Sequence, residues 1–341
     1  MKATQGTVDG LSTARLSTMY RQAKVLHSAV ELGVFDALTD GPASEAQVRE
    51  RLGLHPRFSR AFLDALTALG LLELADGQYA NATVATEYLV EGGGTYLGGA
   101  VRTASRRHYQ TWGRLTEALQ DGLPKAPGRG GPNAFRDLYA NLDDARNFLK
   151  HMDSINGFVG PALADSVDWS KYSSFTDVGG ARGNIAAQIV RRAPHLRGAV
   201  FELPEIEPLF HEYMDQLGTA DRIDFHGGDF FTDPLPGTDV LIFGHVLHDW
   251  SAEERQILLN RAYEALPSGG AVVVYDQMID EAQPDLYSSL ASLNVALMTA
   301  HGAEYPIEEC RAMAEKAGFV VTSGHRIPTV GNDYVLLAEK P

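Results

Sequence analysis

Phe175-Thr-Asp-Val-Gly-Gly-Ala-Arg-Gly-Asn-Ile-Ala-Ala-Gln-Ile-Val-Arg-Arg-Ala193 is the stretch that decides the fold. Its first four residues have the character of a short strand. Gly179, Gly180 and Gly183 mark a turn, and from Asn184 the apolar residues return at helical spacing. A strand that passes through a glycine turn into a helix opens bare backbone to a ligand at the carboxyl edge of a parallel sheet. Further along, the β-rich runs GAVFEL, DVLIFG, AVVVYD and YVLLAEK alternate with helical stretches such as AEERQILLNRAYEAL. Strands alternating with helices need crossover connections, and hence a mainly parallel sheet covered on both faces.

Acids stand at the ends of these strands. The turn reads Asp177-x-Gly-x-x-x-Gly183, not the Gly-x-Gly-x-x-Gly of nicotinamide-binding Rossmann proteins. A carboxylate there repels a pyrophosphate and suits an ammonium or a sulfonium. Glu202 ends GAVFEL 25 residues later, where one carboxylate can accept both hydroxyls of a ribose. Asp229, in HGGDFF, is expected to end a further strand segment, with Phe230 set to lie against a flat heterocycle. Any one of these acids could be a solvated loop carboxylate. Three at successive strand ends read as a nucleoside clamp.

The N-terminal half has a different rhythm. Apolar residues from Thr13 to Leu38 recur every three and four positions, which predicts one amphipathic helix. Ser44 caps SEAQVRERLGL, Gly53 closes it, and Pro56 opens PRFSRAFLDALTALG. Asp76-Gly77 then signals a hairpin, so the whole reads as a winged helix. Such modules often bind DNA, but the helix opened by Pro56 carries only Arg57 and Arg60 beside Asp64, and the chain's formal net charge is -15. Without a basic face there is little to neutralise phosphates, so no nucleic-acid partner is expected and a ligand-sensing regulator is a remote alternative. Residues 84–160 read as helical, interrupted by the Pro/Gly-rich DGLPKAPGRGGPN. The lone Cys310 allows no disulfide within the chain. MKATQGTVDG lacks an apolar signal core and no run of 18 apolar residues occurs, which predicts a cytoplasmic enzyme with no membrane partner.

Taken together, DVGGARG, the strand-end Glu202, GGDFF, FGHVLHDW and ALPSGG resemble the S-adenosylmethionine-dependent O-methyltransferase family of the caffeate and acetylserotonin type, over nearly the whole chain. The resemblance implies an α/β fold. It would have a winged-helix dimerisation domain (1–100), a helical linker and substrate lid (101–165), and a Rossmann-like class I methyltransferase domain (166–341). It implies a homodimer acting on a small metabolite. Asp177, Gly179, Gly183, Glu202, Asp229, Phe230, Gly244, Asp249 and Trp250 would line S-adenosylmethionine. It further implies that His248, in HDW, removes the acceptor's proton while flanked by Asp276 and Glu304. An imidazole oriented by a carboxylate is a good base near neutral pH.

Two more histidines complicate that picture. His245 lies three positions before His248, and His301 precedes Gly302-Ala303-Glu304, where relatives usually carry glycine. Three imidazoles beside one open site would make a cage for Zn²⁺ or Fe²⁺. Such a metal could bind a 2-oxo acid and stabilise its enolate. In this respect the chain resembles the 2-oxo-acid C-methyltransferases of peptide-antibiotic pathways. His301 tips the reading toward metal-assisted C-methylation, with O-methylation by His248 as general base the alternative.

Overall fold

Caps and turns lay out the first of the two units into which the chain divides, Met1–Arg106 and Arg107–Pro341. The computed structural model describes residues 9–92, 95–126 and 134–341. The first eight residues and residues 127–133 of the Pro/Gly-rich loop, both read above, lie outside the described residues. The single helix predicted over Thr13–Leu38 is divided into helices Gly10–Leu16 and Tyr20–Leu32 and a short 3₁₀ turn, Asp36–Leu38. Hydroxyls explain the first break: Ser17 Oγ donates to the Ala14 carbonyl at 2.7 Å and Thr18 Oγ1 to that of Arg15 at 3.0 Å, in competition with the helical ladder. Gly33, at φ +72°, ends the second helix in the left-handed conformation.

Helix Glu45–Leu52 starts from a Ser44–Gln47 capping box, and Pro56 occupies the first turn of helix Pro56–Ala68. Strands β2 (Leu72–Ala75) and β3 (Gln78–Asn81) form the hairpin around Asp76-Gly77, and the short β1 (Ala43–Ser44) pairs with β3. Ala29, Val30, Phe35, Val48, Leu63, Leu66 and Tyr79 form a common core. Tyr79 also donates to Asp64 at 2.6 Å, and Asp64 pairs with Arg60 at 3.1 Å. One of the two basic groups on that helix is therefore already engaged.

The second unit is organised by seven strands: β4 (Ser174–Val178), β5 (Arg197–Glu202), β6 (Ile223–Gly227), β7 (Val240–Gly244), β8 (Ala271–Asp276), β9 (Val320–Arg326) and β10 (Tyr334–Glu339). Their order is β6-β5-β4-β7-β8-β10-β9, with β10 antiparallel to both neighbours and the rest parallel. The central strands read as unbroken apolar runs because both faces are covered. Val240, Ile242, Val273 and Tyr275 face one core with Leu163, Ile185, Ile189 and Phe210. Leu241, Phe243, Val272 and Val274 face the other with Leu258, Leu259, Met313 and Leu336. Each fully buried aliphatic side chain contributes about 2 kcal/mol, so the sheet is a rigid platform for what stands on its carboxyl edge. No helix among the described residues is long and apolar enough to cross a membrane.

Candidate active site

The parallel strands end side by side at one edge, Glu202 in register with Gly227 and Gly244 with Tyr275. Asp177 is the penultimate residue of β4 and Glu202 the last of β5, with 2% and 7% exposure. Glu202 accepts the Leu203 N–H at 2.8 Å and the Ala181 N–H at 3.1 Å, which fastens it to the glycine turn. Burial, reinforced by the charge of Glu202, pushes the Asp177 carboxyl up to about 7. Burial likewise pushes Glu202 up to about 7, against its two backbone donors. Two buried carboxyls with no countercharge among the described residues are an acceptor set for a cation with hydroxyls, and that fits a sulfonium nucleoside. Gly179 has φ +72°, and a Cβ there would lie 2.7 Å from Val246 Cγ2 and 3.8 Å from Phe230 Cε1. The turn must therefore stay bare.

Phe230 leads into an aromatic wall. Its ring centroid is 5.8 Å from that of Trp250, edge to face, and Phe231 lies 4.7 Å from Trp250. Asp229 departs from the expected strand end. β6 stops at Gly227, and Asp229 sits two residues beyond it in a turn, accepting the Phe231 N–H at 2.9 Å. Its other oxygen receives Arg136 at 3.0 Å, so this acid is already paired, unlike Asp177 and Glu202. Two of the predicted glycines have packing reasons of their own. A Cβ at Gly183 would press on Met214 and Phe210, and one at Gly244 would fall 1.8 Å from Tyr275 Cζ.

His248 occupies the turn after β7. Its Nδ1 lies 2.7 Å from Glu304 Oε1 and 3.4 Å from Asp276 Oδ1, and its Nε2 lies 4.0 Å from Asp249. With Nδ1–H directed at Glu304, Nε2 carries the free lone pair. Burial opposes a charge on this imidazole, but Glu304 and Asp276 outweigh it and hold the ring well above its ordinary pKa of 6.5. Burial pushes Asp276 up to about 7 although His248 opposes it. Tyr305 donates to Asp276 Oδ2 at 2.7 Å. Asp276 Oδ1 and Glu304 Oε2 are buried and accept no hydrogen bond.

The imidazole cage does not form. His245 stacks parallel to His248, ring centroids 5.7 Å apart, but its Nε2 is held by Asp333 at 2.7 Å. His301 is exposed. Among the described residues the one cluster that brings three ligand atoms within 4.8 Å of one another is His248, Asp276 and Glu304, without His245 or His301. The expectation of Zn²⁺ or Fe²⁺ on three histidines is thus corrected: two rings are committed to carboxylates and the third faces solvent. Asp333, Arg136 and Arg255 give no signal in the sequence because each acts on a partner far along the chain; GAEYP, which follows His301, is the local hint of this loop's role.

A seven-stranded sheet in this order, with paired acids at the carboxyl edge, defines the class I methyltransferase fold. The O-methyltransferase domain family matches residues 112–320 and the O-methyltransferase dimerisation domain family matches residues 14–91. The chain belongs to the O-methyltransferase family and is an S-adenosylmethionine-dependent methyltransferase. It is 46% identical to the N,N-dimethyltransferase OxyT of Streptomyces rimosus, over 97% of this chain and 96% of that one. It is 45% identical to the tetracenomycin polyketide synthesis 8-O-methyl transferase TcmO of Streptomyces glaucescens, over 96% of each. Human N-acetylserotonin methyltransferase, solved in complex with S-adenosylmethionine, superposes with a TM-score of 0.87 at 27% identity, covering 98% of this chain and 99% of that one. The regulator reading gives way to this family.

Proposed function

We propose that this chain methylates a hydroxyl group of a small polyketide-type aromatic acceptor in antibiotic biosynthesis, as a homodimer, with His248 as general base. The observation that carries the reading is the 2.7 Å hydrogen bond from His248 Nδ1 to Glu304, which leaves Nε2 free for the acceptor's proton. The likeness to TcmO, named for 8-O-methylation in polyketide synthesis, supports the acceptor class, and the dimerisation-domain match supports the homodimer. S-adenosylmethionine supplies a sulfonium methyl group for in-line displacement. Glu202 would hold its ribose hydroxyls, Asp177 its cationic end, and Phe230 with Trp250 its purine; Asp229, Asp249 and the backbone of Gly179 would border it. Gly183 and Gly244 serve by keeping this edge packed. His248 takes the proton, Glu304 fixes the ring's tautomer, and Asp276 stabilises the imidazolium that results.

Metal-assisted C-methylation of a 2-oxo acid is not proposed, because its ligand set does not assemble. A second reading, an amine acceptor, is favoured by the likeness to OxyT. An amine free base presents its own lone pair and needs less help from His248. His248→Ala separates the two: a loss of kcat by about 10²–10⁴-fold with unchanged S-adenosylhomocysteine affinity supports the hydroxyl acceptor. A loss below about tenfold would favour the amine. Exhaustive chelation and His301→Ala should both leave the rate intact.

A further inference from the structure

The turn carrying His248 and the loop carrying Glu304 are 56 residues apart in the chain, and one buried side chain ties them together. Arg255, on helix Ala252–Ala265, is 5% exposed. Its Nε donates to the Leu247 carbonyl at 3.1 Å and to the Trp250 carbonyl at 2.9 Å. One terminal nitrogen donates to the Ala303 carbonyl at 3.2 Å and the other to Glu309 at 3.0 Å. The guanidinium lies over Tyr305, 4.2 Å from the ring centroid, and Tyr305 in turn holds Asp276. Arg255 therefore grips Leu247 and Trp250 around His248, and Ala303 and Tyr305 around Glu304. The backbone adds one direct link, from the Ala303 N–H to the His248 carbonyl at 2.9 Å.

A planar guanidinium can serve carbonyls on two segments while stacking on a ring; a lysine ammonium cannot. Burying such a charge gives little net stability, since its desolvation offsets most of what its partners return. Registration of the two segments is what remains. We propose that Arg255 is a positioning residue that sets the His248–Glu304 hydrogen bond by locking the His248 turn to the Glu304 loop. This rests on the reading of His248 as the base.

The test is a cycle of kcat and KM measurements on Arg255→Ala, Glu304→Ala and the double variant, with S-adenosylhomocysteine affinity and thermal melting measured in parallel. Arg255→Ala is expected to lower kcat by up to about 100-fold while leaving the nucleoside's affinity unchanged. In the double variant kcat should fall little below that of Glu304→Ala, which removes the acceptor of the hydrogen bond that the loss of Arg255 misaligns. Losses that multiply, or a folded Arg255→Ala with normal kcat, overturn the proposal. Should Arg255→Ala fail to fold, the cycle with Arg255→Lys is judged by the same criterion. Full activity in His248→Ala would be a failure of the base reading itself, and it is measured separately.

Discussion

Binding of the cationic nucleoside should expel protons from the sheet edge. Asp177 and Glu202 each stand at about 7 in the free protein, the first through burial and the charge of Glu202, the second through burial. A sulfonium or ammonium placed against them favours their charged forms, so at lower pH the ligand must displace protons. Each displaced proton changes the binding free energy by about 1.4 kcal/mol per pH unit, about tenfold in affinity. Between about pH 8 and pH 6 the affinity should fall by roughly tenfold if one carboxyl is coupled and by up to roughly a hundredfold if both are. The stability of the free fold follows the same linkage. Both carboxyls are raised above their ordinary values of 3.8 and 4.5, so the folded chain holds more protons than the unfolded one up to about 7. Their contribution therefore lowers stability as pH rises from about 4 to about 7 and levels off above, and bound nucleoside restores it. Calorimetric titration of S-adenosylmethionine, without an acceptor, in two buffers of different ionisation heat measures the protons directly. Release of one to two protons near pH 6, vanishing near pH 8, is expected. Equal affinity across that range with no proton released would mean that Asp177 and Glu202 do not gain charge on binding.

Two further outcomes follow from the same geometry. Gly244→Ala would place a Cβ 1.8 Å from Tyr275 Cζ, which forces the fully covered ring to move; a loss of about 1–3 kcal/mol in denaturant unfolding is expected, and an unchanged midpoint would contradict it. Because Glu304 and Asp276 hold His248 charged against its burial, its base form appears only as pH rises past that raised value, so kcat should climb along a limb above 6.5. Glu304→Gln removes one of the two carboxylates, so it should move the limb to lower pH and lower the plateau by about 10–100-fold; a limb that stays in place would argue against the pairing.

The glycine turn and the apolar strands were legible in the sequence because local spacing alone specifies them. Asp177 and Glu202 could be read because each terminates such a run. Asp229 could not: Gly227-Gly228 ends the pairing of β6, and the acid's position then depends on Arg136, 93 residues away. His245 and His301 misled for the same reason. Their spacing to His248 and Glu304 is short, but their partners are set by tertiary structure: Asp333, 88 residues on, for His245, and solvent for His301. Arg255 read as one more charge on an amphipathic helix, since nothing in its neighbourhood announces a role spanning two loops. The predicted long N-terminal helix failed on hydroxyl competition at Ser17 and Thr18, a feature that periodicity does not weigh.

The most direct test is a crystal structure with S-adenosylhomocysteine bound. The Glu202 carboxylate is expected to accept both ribose hydroxyls at about 2.5–3.0 Å, with the purine beside Phe230 and Trp250 and the sulfur on the His248 side. A nucleoside seated away from the carboxyl edge of β4 and β5, with Glu202 free of it, would contradict the account.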